Sequence, residues 1–172
     1  MMDPLKKEFI ARCSVAARMI AYPFPDMAGC EAALESQKPG VVPFTLSELA
    51  ANSNNLFGMK AHQHNIYGVV NLPTHEVLSG EWTVVSAAFE SYPTLDDCFA
   101  DRYATLRRLS SIYPHYKAAL AASDPYVYIT EVSRTWSTDP KRAEKVIAIY
   151  NEYLSEKDTI LVPSPPSGPT LV

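Results

Sequence analysis

Long apolar runs are missing from this chain of 172 residues. No stretch reaches the roughly 18 apolar residues of a membrane-spanning helix, so no membrane partner is expected. A strong charge of either sign is missing too, since 15 Lys and Arg stand against 19 Asp and Glu. That mildly acidic balance argues against a nucleic-acid partner, which calls for a basic face toward the phosphates. It also gives no overall field to steer the chain toward an anionic polymer. Cysteine is scarce. Cys13, Cys30 and Cys98 are odd in number, widely spaced and set in apolar helical patterns, so buried free thiols are expected. The first residues, Met1 to Lys7, lack the continuous apolar segment of a signal peptide, and the chain is expected to be made in the cytoplasm. There is no phosphate loop, dinucleotide fingerprint or nucleophile elbow. His62-Gln63-His64 looks like a pair of metal ligands, but no cysteine or carboxylate stands at a workable spacing. It reads as a loop, and neither metal nor cofactor is expected.

What is present is enough apolar residue, 47% of the chain, to bury the core of one domain. Asp3-Pro4 is a helix start, a capping side chain followed by a residue preorganised for the first turn. Phe9, Ile10, Cys13, Ala16, Ala17 and Ile20 then recur every three or four residues, which predicts a helix to about Ala21. A second helix is expected from about Pro25 to Gln37. It has small residues all round and is therefore central and closely packed. Pro39 to Thr45 reads as a loop, Ser47 to Ala51 as a helical turn, and Asn52 to Asn55 as a turn that tolerates left-handed backbone.

The period then changes. Ile66 to Val70 and Thr74 to Val85, with a turn at Ser79-Gly80, read as a small hairpin rich in Thr, Val, Tyr and Trp. Helices follow: one from the capping box at Thr94 to about Leu109, a shorter one from Tyr113 to Ala122, one from Asp124-Pro125 through Thr135, and a last one opened by Thr138-Asp139-Pro140. Helices, a small β excursion and more helices make an α+β fold, mainly helical. One domain is expected over residues 1–160, its β lobe over about 62–88. The Pro- and Ser-rich end, 161–172, is expected to be a disordered tail.

Several motifs stand on this frame. Glu35-Ser36 ends the second helix, Ser47, Leu49 and Ala50 follow, and then comes Asn54-Asn55-Leu56-Phe57-Gly58-Met59-Lys60. Thr74-His75-Glu76-Val77-Leu78-Ser79-Gly80-Glu81-Trp82 lies across the hairpin, and Trp136-Ser137-Thr138-Asp139-Pro140 precedes the last helix. Together these resemble the glucosaminidase family of bacterial peptidoglycan hydrolases, the group that includes the flagellar peptidoglycan hydrolase domain. The resemblance runs from about Phe9 to Leu154. It implies a lysozyme-like fold, with a helical lobe and a small β-hairpin lobe flanking a cleft. It also implies cleavage of the β-1,4 bond after N-acetylglucosamine.

Glycoside cleavage needs a proton donor for the leaving oxygen and a second group to handle the developing positive charge. Glu35 is the expected acid. Leu34 and Ala32 flank it, and both an apolar setting and a helix C-terminus favour a carboxyl that keeps its proton. Glu76 fits the T-x-E-x-x-x-G-x-W pattern position for position and is the expected second carboxylate. Glu31, one helical turn before Glu35, reads as a structural partner. Asn54, Asn55 and Phe57 either hold a tight turn or line the cleft toward the sugar. Lys60 is a candidate contact for a substrate carboxylate, and Trp136 a stacking surface for a sugar ring.

Two departures from the family pattern stand out. Arg142 occupies a position where an aromatic is usual, and Gln37-Lys38-Pro39-Gly40 replaces the aromatic exit that follows the acid. The expected partner is the peptidoglycan glycan strand. The chain is expected to act as a monomer on the cell wall or in the periplasm, after release or export and by a phage-derived route among others. Two alternatives accompany this reading: a wall-binding or phage structural domain of the same fold with little turnover, and a lytic transglycosylase. The two carboxylates are expected to face each other across an open cleft, farther apart than the ~5–5.5 Å of a retaining pair.

Overall fold

Asp3 starts the first helix with both carboxylate oxygens engaged. One accepts the Leu5 N–H at 2.8 Å and the other the Phe44 N–H at 2.7 Å, so a single cap also ties down the loop around Phe44. The computed structural model describes residues 1–157. The limit expected at 160 and the tail expected at 161–172 lie outside them. Its elements run α1 (Pro4–Met19), α2 (Pro25–Ser36), α3 (Glu48–Ser53), β1 (Gly68–Leu78), β2 (Glu81–Ser91), α4 (Leu95–Leu109), α5 (Pro114–Leu120), α6 (Pro125–Trp136) and α7 (Arg142–Glu156). The architecture is mainly helical α+β, with one two-stranded antiparallel sheet. No helix among the described residues is long and apolar enough to cross a membrane.

Helix α2 is the central one, and its residues explain why. Met27, Ala28, Gly29, Cys30, Ala32 and Ala33 are all buried, on every side of the helix. Small side chains let α1 come close. A Cβ built on Gly29 would lie 2.8 Å from the carbonyl oxygen of Ile10, so glycine is the residue that permits this contact. Helix α7 packs on α2 from the chain's other end, and α4 lies against α1. The three cysteines are free thiols, all buried in this core. Burial raises the Cys98 thiol to about 12, and it behaves as a small apolar side chain.

The hairpin differs in extent from its sequence signature. β1 runs unbroken through Pro73, and β2 continues six residues beyond Val85 to Ser91. Pro73 is tolerated because β1 has a partner on one side only. β2 is prolonged because the segment after Phe57 pairs with its far end. The Ala61 N–H donates to the Ala88 carbonyl at 2.9 Å, and the Glu90 N–H to the Met59 carbonyl at 3.0 Å. The turn at Ser79-Gly80 is where the sequence put it, with both residues at positive φ. Helix α7 begins at Arg142, later than Asp139-Pro140 suggests. Asp139 instead accepts the Lys141 N–H at 2.9 Å and the Lys145 ammonium at 2.6 Å.

Candidate active site

Glu35 lies in the last turn of α2, its side chain 28% exposed. The apolar setting expected for it is not what the fold supplies. Ala32 is buried in the core and Leu34 is only half-buried, while the nearest polar neighbour comes from α7. Arg142 Nε donates to Glu35 Oε1 at 2.8 Å. The physical reason is the substitution noted in the sequence. A guanidinium placed where an aromatic is usual reaches back across the helix interface to the acid. Glu35 Oε2 carries no hydrogen bond from the described residues, so one oxygen of the carboxylate is fastened and the other is open.

Arg142 is itself held from behind. Its Nη1 donates to Glu31 Oε2 at 3.0 Å and to Ser133 Oγ at 2.9 Å. Glu31 is fully buried and also accepts a two-pronged contact from Arg102 on α4, with Nη2 at 3.3 Å from Oε2. Burial alone would raise the Glu31 carboxyl, but the two guanidiniums outweigh it and hold it below the ordinary carboxylate range. Arg102 extends the network further. Its Nη1 donates to the Tyr22 hydroxyl at 3.1 Å, and that hydroxyl lies 2.6 Å from the Tyr128 hydroxyl. Its Cζ sits 4.2 Å from the Phe57 ring centroid and 4.0 Å from that of Trp136. Glu31 is thus a structural partner, joining α2, α4 and α7 directly beneath Glu35.

The N-N-L-F-G segment builds one wall beside this network. Asn54 caps α3 in left-handed conformation, and its amide donates to the carbonyls of Tyr92 and Pro93 at 3.1 and 3.3 Å. Asn55 is buried. Its amide donates to the carbonyls of Met59 and Glu90, both at 2.9 Å, and its oxygen accepts the Met59 N–H at 3.0 Å. Both asparagines therefore stitch the turn to the far end of β2, and Phe57 anchors that turn in the core at 3% exposure. The turn presents Lys60 outward, where its ammonium donates to Glu76 Oε1 at 3.1 Å.

Glu76 lies on the more covered face of β1, with Thr74 and Leu72, while His75 and Val77 are exposed. No hydrogen bond or ion pair joins Glu76 to Glu35 among the described residues. Each is held by its own cation, Lys60 in the β lobe and Arg142 in the helical body. A cleft of about 470 Å³ runs between the 57–62 segment and helices α4, α5 and α6. Lys60, Tyr116 and Trp136 are on its walls.

His62, which the sequence marks as half of a ligand-like pair read as a loop, has partners that the sequence does not show. His62 Nε2 lies 3.1 Å from Glu90 Oε1 and 3.1 Å from Asp101 Oδ2, and Tyr92 donates to the same Asp101 oxygen at 2.5 Å. The carboxylates that sequence spacing does not place near the histidine are brought there by the fold, one from β2 and one from α4.

Comparison with known proteins agrees with this architecture. The family described as mannosyl-glycoprotein endo-beta-N-acetylglucosaminidase matches residues 16–155. The exo-glucosaminidase LytG of Bacillus subtilis is 33% identical over 117 residues, which cover 66% of this chain and 41% of that protein. The chain therefore spans about two fifths of that curated relative. Among solved structures, the catalytic domain of the autolysin Auto from Listeria monocytogenes superposes with a TM-score of 0.72 at 24% identity, over 91% of this chain and 89% of that one. A C-terminally truncated glycoside hydrolase domain of FlgJ from Salmonella typhimurium gives 0.63 at 28% identity, over 87% and 98%.

Proposed function

The chain belongs to the glucosaminidase family, and from that premise we infer that it hydrolyses the β-1,4 glycosidic bond after N-acetylglucosamine in peptidoglycan. The observation that carries the reading is the setting of Glu35. It is a part-exposed carboxylate at a helix end, with one oxygen fixed by a buried guanidinium and the other without a hydrogen bond from the described residues.

In this reading the open oxygen, Oε2, carries the proton. It passes that proton to the glycosidic oxygen as the bond to the sugar carbon breaks. Arg142 fixes the direction in which the carboxyl points, and Glu31 and Ser133 fix Arg142. Water completes the reaction, its proton taken by Glu76 once the hairpin closes over the substrate. The N-acetyl group offers a second route, by attacking the sugar carbon itself. Lys60 orients Glu76 until closure. Trp136 and Lys60 meet the sugar directly, whereas Asn54, Asn55 and Phe57 serve it by holding the wall in place. The enzyme acts on glycan strands at the cell wall or in the periplasm.

Mass spectrometry of the soluble products from purified wall tests this. New reducing N-acetylglucosamine ends are expected. Anhydro-sugar ends would instead mark a lytic transglycosylase. Protein bound to the wall with no sugar released would mark a binding domain that has lost turnover.

A further inference from the structure

From the convergence of His62, Glu90 and Asp101 we propose that this chain holds one divalent transition-metal ion of the zinc class at the base of its β lobe. The proposal does not rest on the hydrolytic reading. The three ligand atoms lie within 4.8 Å of one another. Both His62 distances, 3.1 Å to Glu90 Oε1 and 3.1 Å to Asp101 Oδ2, are close to the edge of a tetrahedron with zinc bonds of about 2.0–2.1 Å. A cation at the centre would draw together the Glu90 and Asp101 oxygens, which lie no more than 4.8 Å apart.

Charge and hydrogen bonding point the same way. Glu90 is wholly buried and Asp101 nearly so, with side chains 0% and 8% exposed. Neither is paired with a lysine or arginine among the described residues. Glu90 Oε2 is buried with no hydrogen-bond partner at all. One imidazole cannot balance two buried carboxylates and also satisfy that oxygen, whereas a dication does both. The outer contacts are those of a supported site. Tyr92 orients Asp101, and the His62 N–H donates to Glu90 Oε1 at 3.2 Å.

The imidazole ligand favours zinc over magnesium or calcium, which prefer oxygen alone. His62 Nδ1 accepts the His64 N–H at 3.2 Å, so the neutral ring carries its proton on Nε2. Loading moves that proton to Nδ1 and gives up the contact from His64, which lies on an exposed turn. The ligands come from the 59–65 segment, the end of β2 and α4. The ion therefore pins the hairpin to the helical body beside the cleft that His62 lines.

The test uses the whole chain, stripped with a chelator and titrated with zinc chloride in a calorimeter and in a thermal melt. One ion per chain is expected. At a hundredfold excess over Kd, Tm should rise by at least about 5 °C. Glu90→Gln and His62→Asn should each weaken binding at least tenfold and lose the Tm rise, with circular dichroism confirming that each variant is folded. If Glu90→Gln does not fold, His62→Asn, on the more exposed side of the cluster, decides alone. No zinc binding by the wild-type chain overturns the proposal. Unchanged binding in the folded variants overturns it as well, because the ion would then sit elsewhere, as at His115 and Glu131.

Discussion

Glu31 is the residue on which the interior turns. It is a fully buried anion between two buried guanidiniums, contributed by residues 71 and 111 positions away. Desolvating all three charges is costly, and the arrangement holds only because each is paired. Removing the central charge should therefore cost much more than a surface ion pair. Glu31→Gln keeps the shape but leaves Arg102 and Arg142 under-paired, and should lower stability by about 3–5 kcal/mol in a denaturant titration. A loss under about 1 kcal/mol would mean that the triad is not the fold's electrostatic centre. The sequence singled out Glu35 and Glu76 as candidates because each sits inside a local pattern. It also marked Arg142, as a break in one. It could not show that Arg142 touches Glu35, or that His62 meets Glu90 and Asp101, because such contacts join positions far apart along the chain.

At the scale of elements, periodicity located every helix to within a few residues, since the apolar face of each is a local property. It erred where an end is set by a distant partner. β2 outruns its sequence signature because the Met59–Ala61 segment pairs with it, and α7 starts late because Asp139 is engaged by Lys141 and Lys145. The hairpin is the element with the most exposure. Val69, Val77, Val84 and Trp82 all face solvent, so it draws little stability from burial. That suits a lobe that moves. If closure brings Glu76 to the reacting water, Glu76→Gln should lower kcat by far more than tenfold while leaving Tm within a degree or two. A loss of only a few-fold would leave the second step to the substrate's N-acetyl group.

For the molecule as a whole, stability should be a plateau with two edges. Glu31 is held below the usual carboxylate range by the two arginines against its burial. Asp26 is likewise held down by Ser14, Lys157 and Arg18 against its burial. Groups lowered by folding stabilise fully above their unfolded values and lose that contribution as pH falls through the folded ones. Melting temperature should therefore hold down to about pH 5 and drop steeply below about pH 4. At the other edge, burial raises Tyr22 to about 12, and burial raises Tyr92 and Tyr128 too. Folding keeps these hydroxyls neutral, so stability is full below the ordinary tyrosine value and is lost as pH rises above about 10. A Tm independent of pH from 3 to 11 would contradict both edges.

In the proposed reaction Glu35 delivers the proton that breaks the glycosidic bond. The direct measurement is release of reducing ends from purified peptidoglycan by the wild-type chain and by Glu35→Gln, at equal concentration of folded protein. The variant keeps the side chain's shape and an oxygen that can accept the Arg142 Nε–H, and loses the transferable proton together with the charge paired to Arg142. It should melt within a few degrees of the wild type and release sugar at least about a hundredfold more slowly. Release at the wild-type rate by a folded Glu35→Gln chain would remove Glu35 from the role of proton donor.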